Sequence, residues 1–152
     1  MKALKFTSIV LLLFLGSGFF TACKKDKKTV KAVEKNIVEG TWRVTKMIDS
    51  GTDETSDFSG YTFTFSEGGS VSASNGSTTY SGTWSVSTNS SSGDDSNDGD
   101  IDFNLSFSVT EDNDFDDLID DWDVLSQSET KIELMDVSGG NGGTDYLTFE
   151  KN

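Results

Sequence analysis

Ile101, Phe103, Leu105, Phe107 and Val109 alternate with polar residues without a break. A side-chain period of two marks a strand with one face buried and the other wet. The same pattern recurs through residues 40–152. Trp42, Val44 and Ile48 fall on one face of a strand over about 41–50, and Tyr61, Phe63 and Phe65 share a face over 61–65. Val71 and Ala73 mark a short third strand, and Tyr80, Trp84 and Val86 a fourth over about 77–87. Further strands fit residues 122–126, 131–136 and 145–151, which makes eight in sequence. The chain has no proline to interrupt them. Eight antiparallel strands can close into an up-and-down barrel, which leaves no exposed sheet edge. The expected fold is therefore all-β, an eight-stranded antiparallel up-and-down barrel.

The connections support this order. Asn75-Gly76 is a strong hairpin signal and predicts a type I′ turn with positive φ at both positions. Residues 88–100 are, after Thr88, all Ser, Asn, Gly and Asp with nothing to bury, and 139–143 are four glycines around Asn141. Between the fifth and sixth strands the period changes. Phe115, Leu118, Ile119 and Trp122 are spaced for one helical face, which predicts a short helix over about 114–121 with Asp114 near its N-cap.

The amino terminus carries a different message. Lys2 and Lys5 precede a run from Phe6 to Phe20 that is almost wholly apolar. Such a run suits a signal peptide and falls short of the roughly 20 residues that span a bilayer. It ends in Thr21 and Ala22, then Cys23, the only cysteine of the chain. Phe20-Thr21-Ala22-Cys23 resembles the bacterial lipobox. That resemblance implies diacylglyceryl transfer to the Cys23 thiol, removal of residues 1–22 and acylation of the new amino group. Lipidation would also consume a lone thiol that an oxidising compartment leaves exposed to chemistry.

Charge divides what remains. Residues 23–39 read as the lipidated cysteine and a basic tether, six lysines against three acids, suited either to anionic headgroups or simply to solvent. Residues 40–152 hold four basic residues against 23 acidic ones, a net of −19. A surface of that sign excludes nucleic acid as a partner. It should also be repelled by an anionic membrane and stand off on its tether.

Gly40-Thr41-Trp42 opens the first strand, and Gly-x-Trp there resembles the lipocalin signature. With the strand count and the aromatic strand at 61–65, residues 38–151 resemble the lipocalin-like domains of Bacteroidetes-type lipoproteins. The resemblance implies a barrel with Trp42 plugging its closed end. The family places an arginine near the carboxyl end, stacked on that tryptophan; here Lys151 stands in its place. Gly82-Thr83-Trp84-Ser85-Val86 partly repeats Gly40-Thr41-Trp42-Arg43-Val44, which would put both tryptophans at one barrel end.

Histidine is absent, and cysteine is absent beyond Cys23. This removes Ser-His-Asp and Cys-His catalysis and the usual zinc sites. The carboxylates cluster in loops with no apolar setting to tune one of them, so no enzyme is expected. Calcium is the one metal with a pattern behind it. Asp94, Ser96 and Asp98, followed by Gly99, Asp100 and Asp102, resemble the first nine positions of an EF-hand loop, but Leu105 occupies the place of the bidentate glutamate. A second run, 111–123, holds eight acids and fits a solvated helical face.

Three functions fit. One is a monomeric envelope module, held at the outer membrane by its lipid, that binds a small apolar or amphipathic ligand in a barrel lined by Trp42, Phe63, Phe65, Trp84, Phe103 and Phe107. The second is a structural or interaction lipoprotein in which those aromatics fill the core. The third is a calcium-dependent extracellular module. Lys24 after the lipidated cysteine is not the aspartate that retains lipoproteins at the inner membrane of enteric bacteria, hence the outer-membrane expectation.

Overall fold

The computed structural model describes residues 29–88, 101–137 and 143–152. Cys23 and the EF-hand-like positions Asp94, Ser96, Asp98 and Asp100 lie outside them.

Eight strands close an antiparallel barrel in which each strand neighbours the next: β1 (Trp42–Asp49), β3 (Thr62–Phe65), β4 (Ser70–Ser74), β5 (Thr79–Thr88), β6 (Ile101–Phe107), β7 (Asp120–Gln127), β8 (Lys131–Val137) and β9 (Thr144–Lys151). The two-residue β2 (Thr52–Asp53) folds back on the end of β1. The seam runs along β1 and β9, from Trp42 opposite Lys151 to Ile48 opposite Tyr146. The β1–β3 junction is a single pair, Trp42 with Phe63.

Alternation places the core as expected in β3, β4 and β6, where every second residue is buried. In β1 the alternation slips. A bulge between Val44 and Lys46 inserts one residue, and beyond it the faces exchange. Met47 is buried where Ile48 was expected, and Ile48 is only partly covered. In β5, Gly82 has a steric reason: a Cβ there would lie 2.0 Å from the Ser106 carbonyl oxygen of β6.

Two local expectations are corrected. At Asn75-Gly76 the chain does reverse, but only Gly76 has positive φ, so the turn is not type I′. Asn75 instead accepts the amides of Ser77 and Thr78 on its side-chain oxygen, an Asx-type turn. The helix expected over 114–121 is a 3-10 turn, Asp114–Leu118, capped by Asn113 rather than Asp114. Phe115 and Leu118 are buried three residues apart, the 3-10 repeat. Trp122 belongs to β7 and is buried by strand alternation with Val124. A second 3-10 turn, Thr55–Phe58, buries Phe58 against Phe115.

The one α-helix among the described residues, α1 (Val30–Ile37), lies within the stretch read as tether. Six lysines made that stretch look solvated, yet Val30, Val33 and Ile37 recur at helical spacing, and Thr29 caps the first turn by accepting the Ala32 amide at 3.2 Å. Val33, Asn36 and Ile37 are buried against the barrel. The packed unit therefore begins at least ten residues before Gly40.

Candidate functional site

The barrel has two ends of different chemistry. At the first, α1 covers the mouth. Asn36 donates its side-chain amide to Gln127 at the end of β7. Trp42, fully buried, donates its ring N–H to the Ile37 carbonyl at 2.7 Å. Gly40 turns the chain with φ 81°, and the methylenes of Lys151 lie where a side chain at Gly40 would project. The Lys151 Nζ then reaches to 5.3 Å from the centre of the Trp42 ring. Trp84 sits at the same end, its ring N–H bound to the Ser66 carbonyl at 3.0 Å. Between α1, the β3–β4 turn and Trp84 runs a surface groove of about 450 Å³, bordered by Lys31, Glu34, Lys35, Val38 and Glu67.

The interior joins the two ends. The six residues expected to line a ligand cavity are all buried in one cluster. Five of them meet other aromatic rings: Phe65 packs edge-on against Trp84 and Phe103 at 5.9 Å each, Trp84 stacks on Phe103, and Phe63 meets Phe107 at 6.3 Å. Of the six, Trp84 also borders the α1 groove and a second groove of about 420 Å³ on the β5–β6 surface.

The far end is acidic. Asp49, at the end of β1, Glu54, after β2, and Asp117, in the second 3-10 turn, bring carboxylate oxygens within 4.8 Å of one another. Burial first, and then the neighbouring negative charges, raise Glu54 and Asp117 above the ordinary carboxylate range. Glu54 Oε2 is shielded from water with no donor to serve it. Asp120, first in β7, accepts the Asp121 amide at 2.7 Å, yet burial and the charges of Asp136 and Asp121 push it up to about 6. Asp145 is buried nearby and accepts the amide of Ser50, the one non-glycine residue of positive φ among the described residues. Asp49, Glu54 and Asp117 could offer three of the six to eight oxygens that calcium takes.

The sequence missed this grouping because Asp49 and Glu54 are far along the chain from Asp117; closing the barrel brings them together. Of the EF-hand-like positions, Asp102 alone is described. It lies in β6, opposite Ser87 and Asp123, part of the sheet rather than of a loop.

No protein-family model matches the chain, and no curated protein matches it. Its fold is shared. A crystal structure of a DUF4847 family protein from Bacteroides vulgatus superposes with a TM-score of 0.51 over 79% of this chain and 97% of that one. Sequence identity is 18%, so the likeness concerns the fold alone.

Proposed function

We propose that this chain is a lipid-anchored cell-envelope protein with a lipocalin-like barrel whose interior is filled, and that it works through its surface and ends rather than as a cup for a ligand. The observation that carries this reading is the mutual packing of Phe63, Phe65, Trp84, Phe103 and Phe107 across the barrel. Side chains that satisfy one another leave a ligand nothing to contact. The lipobox resemblance at Cys23 supplies the anchor, and Lys24 after it favours the outer membrane. The fold shared with the DUF4847 family protein supports the barrel alone. The lack of histidine argues against Ser-His-Asp and Cys-His catalysis and is in keeping with a non-catalytic role.

Two measurements test it. Titration of the mature protein with a long-chain fatty acid and with anilinonaphthalene sulfonate should give no saturable change in tryptophan fluorescence. Cys23→Ser should leave an unprocessed precursor without acyl chains. A variant that still acquired a lipid would remove the anchor reading.

A second reading has its own observation. The groove beside α1 has a tryptophan at its base and charges of both signs around it, within the size range of small-molecule sites. An amphipathic ligand would bind there, outside the barrel. Saturable binding that is lost in Trp84→Ala, with the fold intact, would favour it.

A further inference from the structure

We infer that the α1-covered end of the barrel is the face that meets an anionic lipid surface, and that the acidic end points away from it. The inference rests on the anchoring at Cys23 proposed above and assigns the orientation that such an anchor leaves open.

Charge is polarised along the barrel axis. Lys31 and Lys35 are exposed on α1; Arg43, Lys131 and Lys151 stand at the ends of β1, β8 and β9 beside it. These are five of the six lysines and arginines among the described residues, the sixth being Lys46 partway along β1. Glu34, Glu39, Glu67, Glu129 and Glu150 match them in number at that end, Glu150 paired with Arg43 at 3.3 Å, and the sequence that joins Thr88 of β5 to Ile101 of β6 at the same end adds four aspartates. The opposite end has Asp49, Glu54, Asp117, Asp120, Asp136 and Asp145, and its described turns contain no lysine or arginine. Both ends are thus net negative, and a negative surface repels the far end, which has no base to offset its acids, more strongly than the α1 end.

The chain's entry point selects the same end. Because α1 is packed onto the barrel, only residues 24–28 separate Cys23 from Thr29, the helix cap. Six residue steps span at most about 21 Å. Four of those five residues are lysines, which favour an anionic surface. A sixteen-residue tether would have let the domain tumble; this one holds the α1 end within a few Debye lengths of the headgroups, each about 8 Å at physiological salt.

The test uses the mature lipoprotein in vesicles of phosphatidylcholine, with and without phosphatidylglycerol. With Cys23 capped by lipid, one introduced thiol can be labelled, at Glu67→Cys beside α1 or at Ser77→Cys in the β4–β5 turn at the other end. Energy transfer to a headgroup acceptor reads the height of each label. The tilted five-residue β4 and the two turns it joins predict heights that differ by about 15 Å, with Glu67 nearer the membrane. The difference should shrink in Lys31→Glu with Lys35→Glu and in high salt. Equal heights, or Ser77 nearer, would overturn the orientation even if the protein floats with neutral vesicles, which reads the anchor alone. Flotation only with anionic vesicles would remove the anchor but leave the charged face readable by the same labels. Flotation with neither would overturn both.

Discussion

Lys151 covers Trp42 from the last strand: its ammonium lies 5.3 Å from the ring centre while its stem crosses Gly40. The ring's other polar obligation is met by Ile37 of α1. One tryptophan thus ties the helix, the first strand and the last together.

Trp42→Ala should cost about 3–5 kcal/mol of stability, the range for removing a buried large aromatic. Lys151→Ala should cost less, about 0.5–1 kcal/mol for a cation over a ring near the surface. Urea unfolding of the single and double variants checks both. If Lys151 acts through the ring, its effect should vanish in the Trp42→Ala background.

Acidification should stabilise the protein before it destabilises it. Glu54, Asp117 and Asp120 hold their protons more tightly folded than unfolded. For Asp120 the interval runs from about 6 down to the ordinary 3.8, and stability should rise as pH falls through it. Asp53 and Glu133 are shifted the other way, Asp53 by its hydrogen bonds to Thr55 and Glu133 by Lys131, and their contribution is lost at lower pH. Melting temperature should therefore pass through a maximum near pH 4 to 5, at about the crossover of the two intervals. Asp120→Asn should flatten the rise between pH 7 and that maximum.

Gly82→Ala and Gly51→Ala should separate two reasons for glycine. At Gly51 a side chain meets only open space, but φ is 87°, so alanine should cost about 1–2 kcal/mol from the backbone alone. At Gly82 the new carbon would overlap the Ser106 carbonyl, which forces β5 and β6 apart. That variant should lose clearly more than about 2 kcal/mol, with loss of amide protection along the β5–β6 pair.

Calcium and sodium chloride at matched ionic strength should raise the melting temperature by similar small amounts if the acids only repel one another. A true site would instead saturate with calcium. Asp94→Asn with Asp98→Asn, and separately Glu54→Gln with Asp117→Asn, would show which group supplies it. The bland result is expected, since neither group offers a full set of oxygens.

The barrel was legible because strands declare themselves by alternation, and most of this chain alternates. What misled the reading was local. The β1 bulge exchanged Met47 for Ile48, and no residue near it, such as a glycine, marks an inserted position. Trp122 matched a helical spacing only because a 3-10 turn runs straight into a strand. Helix α1 was written in Thr29, Val30, Val33 and Ile37, but the lysines around it outweighed three apolar residues. For the site, the six core aromatics were found as a set, whereas the Asp49, Glu54 and Asp117 grouping exists only once distant segments meet.

The seam between β1 and β9 also sets when the molecule can form. Trp42 finds its partner in Lys151, the second-last residue, while its bond to β3 is a single pair. Until β9 is available, the first strand has only the two-residue β2 and one pair with β3 to hold. The barrel is thus obliged to stay open until β9 is present, and the seam along β1 is the step that closes it.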